Sequence, residues 1–286
     1  MKKTLTSRNL APISSTLRAK EDALHEILAN LDSVIVAFSG GADSAYLAYT
    51  ATEVLGAKAL AVTADSASYP DAHRQLALRV ASDFGIAHEI IRTNEIERPE
   101  YRANPANRCY FCKHELYAEL QKLKQARGFS AVADGSNADD RGDYRPGRQA
   151  AREFGVRSPL DEASLAKEEI RELSRRAGLP TWDTPASACL SSRIPYGSAV
   201  TEEKLRAIES AESILRGLGF RVFRVRHHDA IARLEIAKDE MARALEPEVS
   251  AMLVRELRAL GYEHVTIDLQ GYRQGSLNEV LRLRPI

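Results

Sequence analysis

The apolar run Val34-Ile35-Val36-Ala37-Phe38 is followed at once by Ser39-Gly40-Gly41-Ala42-Asp43-Ser44, and then by the helix-forming stretch Ala45-Tyr46-Leu47-Ala48-Tyr49. Five apolar residues in a row read as a buried strand, and a Ser/Gly turn leading straight into a helix defines a strand–turn–helix unit. Such a turn builds an anion site. Glycine lets the backbone approach a ligand closely, and the N–H groups of the first helical turn have no intrahelical acceptor. A Walker A loop is excluded, because its lysine is missing. An ordinary flexible turn would also be rich in serine and glycine, but the flanking strand and helix disfavour that reading.

The same rhythm extends along the chain. Leu17, Leu24, Ile27, Leu28 and Leu31 recur at helical spacing over 16–31. Residues 57–63 read as a second buried strand and 70–84 as a helix opening at Pro70 with Asp71 in its first turn. A third strand is expected at 87–91, a helix at 111–127 and a fourth short strand at 131–133. Alternation of this kind predicts an α/β fold, a doubly wound parallel sheet covered on both faces. The polar stretch 92–108, with Pro99 and Pro105, reads as a long loop. The rhythm stops near Gly178-Leu179-Pro180. After a Pro/Ser/Gly-rich connector, 181–200, come a helix from Thr201, strands near 220–226, 230–236 and 264–268, and a helix near 246–260. The second half therefore reads as a smaller C-terminal α+β domain, giving an expected division into 1–180 and 181–286.

Forty Lys and Arg balance forty Asp and Glu among the 286 residues, so no global basic field advertises a nucleic-acid partner. No apolar stretch approaches the roughly 20 residues of a membrane span, and Met1-Lys2-Lys3-Thr4-Leu5-Thr6 has no apolar signal core. A cytoplasmic address is expected, with neither a membrane nor a nucleic acid as partner. Three cysteines in such a compartment argue for metal binding or reactivity over a disulfide framework.

Cys109-Tyr110-Phe111-Cys112 falls where the long loop meets a helix, a position that favours thiolates. Alone, a C-x-x-C serves redox dithiols, zinc sites and iron–sulfur clusters equally. Cys189 stands in Pro185-Ala186-Ser187-Ala188-Cys189-Leu190-Ser191-Ser192-Arg193-Ile194-Pro195-Tyr196-Gly197. Small residues, hydroxyls and an arginine suit a site better than a core. Arg193, Arg224 and Arg226 are candidates to grip an anionic substrate. The last two are two apart on a strand and share a face, although alternating charge also marks a solvated strand face. Glu235 faces either substrate or water. His227-His228, adjacent on a strand, point to opposite faces and read as structural or surface residues.

The turn at 39–44 resembles the PP-loop of N-type ATP pyrophosphatases, which cleave ATP to AMP and pyrophosphate. Together with Asn107-Arg108-Cys109-Tyr110-Phe111-Cys112-Lys113, Asp134-Gly135-Ser136-Asn137-Ala138-Asp139-Asp140, the Cys189 stretch and Gly271-Tyr272-Arg273-Gln274-Gly275-Ser276-Leu277-Asn278, it resembles the ATP-dependent sulfur transferases of the LarE family. The resemblance implies adenylation of the carboxylates of pyridinium-3,5-biscarboxylic acid mononucleotide and their conversion to thiocarboxylates, a step towards the nickel-pincer nucleotide cofactor of lactate racemase. It implies ATP and pyrophosphate contacts from Ser39, Gly40, Gly41, Asp43, Ser44, Thr63 and Gly135. Asp43 is a candidate for Mg²⁺, a hard cation that takes carboxylate and phosphate oxygens, and Asp140, in the loop after 131–133 where sheets bind ligands, is a second candidate. The resemblance implies substrate contacts from Arg193, Arg224 and Arg226, with Cys189 as the catalytic residue. It further implies a homo-oligomer, a hexamer in this family, and sulfide or another sulfur donor as co-substrate.

Sulfur reaches the substrate in two ways within the family. Either Cys189 gives up its own sulfur and becomes dehydroalanine, or Cys109, Cys112 and Cys189 hold a 4Fe–4S cluster whose fourth iron carries sulfide. Zinc completed by a histidine is a further option for three thiolates. Two other functions share features of the chain. A PP-loop tRNA thiolase needs a surface for a large polyanion, against which the zero net charge weighs. A non-catalytic adenine-nucleotide-binding protein would not need the cysteine motifs.

Overall fold

The computed structural model describes residues 12–142, 146–185 and 188–279, arranged as two compact units. The first comprises residues up to Ser66, Ala72–Thr93 and Cys109–Thr184. Its strands β1 (Val34–Ala37), β2 (Ala59–Asp65), β3 (His88–Arg92) and β4 (Ala131–Ala133) form one parallel sheet in the order β3-β2-β1-β4. The unbroken apolar run of β1 has a direct cause. Val34 and Val36 face a core with Leu24, Leu28, Tyr46 and Leu47, while Ile35 and Ala37 face another with Tyr117, Leu120 and Val132. A strand buried on both faces carries no polar alternation.

Helices α1 (Ser15–Ala29), α2 (Ala42–Leu55), α3 (Asp71–Asp83), α4 (Arg108–Arg127), α5 (Gly147–Glu153) and α6 (Lys167–Arg176) belong with this sheet. The chain leaves β1 towards β2 on one side, while β4 returns on the other. The loops after β1 and β4 are thus neighbours at the carboxyl edge, where open α/β sheets bind ligands. The stretch 92–108 departs from the expected long loop. It holds a 3-10 turn at Glu95–Glu97 and a short helix at Pro99–Arg102 started by its proline, and α4 begins three residues earlier than its apolar pattern indicated.

The second unit gathers Ala67–Asp71, Asn94–Arg108 and the chain from Pro185. Its strands β5 (Phe223–His228), β6 (Ile231–Ile236) and β7 (His264–Ile267) pair in that order, antiparallel and then parallel. Helix α7 (Glu202–Gly217) is capped by Thr201, whose hydroxyl accepts from Lys204 N, and α8 (Pro247–Ala259) opens on a proline. Phe223, Val225, Ala232, Leu234 and Ile236 pack with Leu215, Leu253 and Leu257 into this unit's core. Period two then turns Arg224 and Arg226 to the other face. His227 follows the core side and meets the Tyr262 hydroxyl at 2.9 Å, while His228 is exposed. Among the described residues no helix is long and apolar enough to cross a membrane.

Candidate functional site

In the first unit, β1 delivers the chain into a turn where Gly40 takes φ +70° and extended Gly41 precedes α2 without a side-chain cap. Ser44, in the first turn of α2, ties the loop to itself. Its Oγ accepts from Ser39 N at 3.2 Å, donates to Gly41 O at 3.1 Å and lies 3.1 Å from Ser39 Oγ. The loop after β4 comes up against this turn. A Cβ on Gly135 would lie 2.9 Å from Ser44 N, so only glycine permits the approach. Asn137 bridges the two carboxylates expected at a cation. Its Nδ2 donates to Asp43 Oδ2 at 3.1 Å, and its backbone N–H to Asp140 Oδ2 at 3.2 Å. Ser39, Gly40, Gly41, Asp43, Ser44, Gly135 and Asp140 therefore line one pair of adjoining loops.

Thr63 stands one strand away and reaches back to this turn. Its Oγ1 donates to Phe38 O at 2.7 Å, which leaves a lone pair for His88 Nε2 at 2.8 Å. Nε2 is thereby the protonated nitrogen of a neutral imidazole. Burial pushes His88 below its ordinary value, with Glu89 opposing. On the other side, Asp134 accepts from Tyr117 Oη at 2.7 Å, Ser158 Oγ at 2.9 Å and Ser136 N at 3.1 Å, which anchors the residue before Gly135. Burial, then the Asp134 charge, raises the Tyr117 phenol well above its ordinary value, so it stays a donor. Cys109 and Cys112 sit on the first turns of α4, one exposed and the other half-buried, and one turn apart on a shared face.

In the second unit, Cys189 leads into a 3-10 turn, Leu190–Arg193, and is half-buried. Its carbonyl accepts from Ser192 Oγ at 2.7 Å and Arg193 Nη1 at 3.0 Å. Arg193 is 1% exposed and paired with Glu212 of α7. Its charge is compensated inside the protein, and the guanidinium organises the turn. Three residues of the 94–108 stretch complete the scaffold. Tyr101 Oη lies 2.6 Å from Ser191 Oγ, and Arg108 Nη1 donates to Ser191 O at 3.1 Å. Asn104, fully buried with φ +54°, donates to Pro195 O at 2.8 Å and Ser198 O at 2.9 Å.

Arg226 joins the turn to the sheet. Its Nη1 donates to Ser192 O at 2.6 Å and its Nη2 to Glu235 Oε2 at 2.8 Å, while its buried Nε–H has no partner among the described residues. Glu235 is neither wet nor exposed. It is fully buried and also receives Arg233 Nη2 at 3.1 Å. Arg224 is half-buried, not a solvated side chain, and both burial and the Arg193 charge lower its pKa. Cys189, Arg193, Arg224 and Arg226 thus belong to one built structure. Glu212, Asn104, Arg108 and Asn137 were not expected at the site; Arg108 and Asn137 lie inside the motifs at 107–113 and 134–140, whereas Glu212 and Asn104 carry no local signal. Among the described residues no group of three or more His, Cys, Asp or Glu is gathered to hold a metal ion.

Comparison with known proteins gives the following similarities. The NAD synthase family matches residues 16–113. An uncharacterized protein of Synechocystis is 46% identical over 93% of this chain and 99% of its own. Pyridinium-3,5-bisthiocarboxylic acid mononucleotide synthase from Lactiplantibacillus plantarum is 35% identical over 93% of this chain and 96% of its own. An uncharacterized protein of Methanocaldococcus jannaschii is 27% identical, covering 84% of this chain and 90% of its own.

Proposed function

The chain belongs to the LarE family of ATP-dependent sulfur transferases, and from that premise we propose that it converts the carboxylates of pyridinium-3,5-biscarboxylic acid mononucleotide to thiocarboxylates. The observation that carries this reading is the hydrogen bond from Arg226 to Ser192, three residues past Cys189, which joins the thiol-bearing turn to the strand face that carries Arg224 and Arg226. A pyridinium mononucleotide with two carboxylates and a phosphate is the kind of anion such a face takes.

The chemistry runs in two steps. A substrate carboxylate oxygen attacks the α-phosphorus of ATP, the bond to the bridging oxygen breaks, and pyrophosphate leaves with that electron pair. The backbone N–H groups at the start of α2, with Ser39 and Ser44, bind the departing phosphates. Asp43 and Asp140, spaced by Asn137, would hold Mg²⁺, which supplies charge neutralisation to the pyrophosphate. A sulfur nucleophile then attacks the acyl carbon, and AMP leaves with the oxygen it had activated. Thr63 and Gly135 shape the nucleotide loops, and Arg224 and Arg226 bind the substrate. Arg193, compensated by Glu212, orders the Cys189 turn.

For the sulfur source, we propose a cluster on the chemistry of its three thiols. Cys109 and Cys112 present two thiols on one helical face, Cys189 is a third, and none is in a disulfide. These three would hold a 4Fe–4S cluster, which supplies an open iron for exchangeable sulfide. A second reading makes Cys189 itself the donor, its half-buried thiol standing on a turn that Arg193 and Glu212 hold in place. There the Cys189 thiolate forms a thioester, a base removes the Cα proton, and the C–S bond breaks to leave dehydroalanine and the thiocarboxylate. Anaerobically purified protein incubated with ATP, Mg²⁺ and the biscarboxylate mononucleotide should release pyrophosphate and yield a thiocarboxylate by mass spectrometry. An intact Cys189 with sulfide-dependent multiple turnover supports the cluster, dehydroalanine at 189 supports the second route, and no thiocarboxylate at all sinks the proposed function.

A further inference from the structure

Residues 271–278 carry part of the family resemblance yet have no part in the chemistry above. In the structure this segment follows β7 and turns at Gly271, whose φ is +71° and where a Cβ would lie 2.8 Å from the Ile236 carbonyl oxygen. Tyr272 N then donates to Ile236 O at 2.9 Å, which pins the segment to the end of β6. From that anchor two side chains reach the arginine face. The Tyr272 ring lies under the Arg224 guanidinium, 5.1 Å from ring centroid to Cζ. Ser276 Oγ accepts from Arg226 Nη2 at 2.6 Å and stands 3.2 Å from Glu235 Oε2. Further along, Asn278 Oδ1 accepts from the Tyr196 hydroxyl at 2.9 Å.

Arg226 Nη2 bonds one oxygen of a fully buried carboxylate, and a guanidinium that turned fully onto that carboxylate would grip an external anion poorly. A hydroxyl resolves this conflict. It accepts from the guanidinium and gives its single proton to Glu235, so it takes up hydrogen-bonding capacity on both partners and fixes the rotamer between them. Of the five N–H donors of Arg226, Ser192, Glu235 and Ser276 take three, so donors remain for an oxygen supplied by a ligand. A guanidinium already held in place loses little conformational freedom when the anion arrives.

We infer that Ser276 and Tyr272 are positioning residues that hold Arg226 and Arg224 ready for the anionic groups of the mononucleotide. The inference rests on the reading above that these arginines bind substrate. The test is calorimetric binding of the biscarboxylate mononucleotide to the full chain without ATP, together with steady-state KM and kcat. S276A should weaken mononucleotide binding and raise its KM about tenfold while leaving the KM for ATP in place. S276T, which restores the hydroxyl, should recover most of that loss. Y272A should weaken binding about threefold and Y272F less, since the ring face holds the cation. R226K serves as the reference for the arginine itself. Should S276A and Y272A bind like the parent while R226K loses affinity, the inference falls and the arginine reading stands. Parental binding by R226K as well would overturn both. A fall in kcat with both KM values displaced, and no recovery in S276T, would mark Ser276 as merely structural and also overturn the inference.

Discussion

Arg193 and Glu212 form a two-point ion pair sealed from water. Nε meets Oε1 at 2.8 Å and Nη2 meets Oε2 at 3.1 Å, with side chains 1% and 4% exposed. The guanidinium has one nitrogen left, and Nη1 donates to Ala188 O at 2.7 Å and Cys189 O at 3.0 Å. The pair thus ties α7 to the turn bearing Cys189. Breaking a buried pair from one side leaves an uncompensated charge, so E212Q should destabilise the protein by about 3–5 kcal/mol in urea unfolding. It should also speed alkylation of Cys189. An unchanged alkylation rate in a destabilised variant would detach the pair from the thiol turn.

The same carboxylate sets an acid limit. Burial alone would raise Glu212, but the Arg193 charge and hydrogen bonds hold it below its ordinary value of 4.5. A depressed carboxylate contributes stability that is fully present above the unfolded value and lost as pH falls through the folded one. Unfolding free energy measured from pH 6 downward should therefore start to decline near about pH 4.5. E212Q should show a shallower decline, and identical slopes for parent and variant would rule this carboxylate out as a contributor.

The sheet and the PP-loop turn were legible in the sequence because their causes are local. β1 is buried on both faces and reads as an uninterrupted apolar run, and a turn between strand and helix announces itself by serine and glycine. Arg193, Arg224 and Arg226 were nameable for the same reason, from spacing and a neighbouring cysteine. Their partners were not. Glu212 is one glutamate among several on α7, and only the tertiary fold brings it to Arg193, 19 residues away. Asn104 lies in a polar stretch without period, and the carbonyls it holds are 91 and 94 residues further on. Helix α6 was missed, although Glu168 and Glu169 in its first turn, Arg175 and Arg176 in its last and Gly178 just beyond mark its ends.

His88 offers a second pH test of opposite origin. Its imidazole is lowered from 6.5 chiefly by burial, and its Nε2–H donates to Thr63, which in turn holds the Phe38 carbonyl before the PP-loop. Here the folded state prefers the neutral form, so the unfolded chain binds the proton first. The stability contribution is complete above 6.5 and shrinks as pH falls from there towards the folded value. Urea unfolding between about pH 8 and 5 should show this loss, to which His227 and His228, lowered in the same way, also contribute. H88Q, which keeps a donor without titrating, should make it smaller. T63V should raise the KM for ATP, since the Phe38 carbonyl loses its fixed partner. An ATP KM that does not move in T63V would free the PP-loop from this relay.

Gly135 makes the sharpest steric prediction at the nucleotide loops. A Cβ there would lie 2.9 Å from Ser44 N, 3.2 Å from Ser44 Cα and 3.3 Å from the Asp43 carbonyl carbon, all backbone atoms at the start of α2. Backbone of a helix start cannot step aside as the end of a long side chain can. Nor can the β4 loop retreat easily, because Asp134 is held by Tyr117, Ser158 and Ser136. G135A must therefore displace one loop from the other, at a cost of about 1–3 kcal/mol in stability. The displacement also separates Asn137 from Asp43, and with it alters the spacing of Asp43 and Asp140. ATP-dependent pyrophosphate release should fall by at least about tenfold, with the KM for ATP rising, while mononucleotide binding in the absence of ATP stays near the parent. Parental pyrophosphate release by a folded G135A protein would show that the two loops need not touch for the enzyme to use ATP.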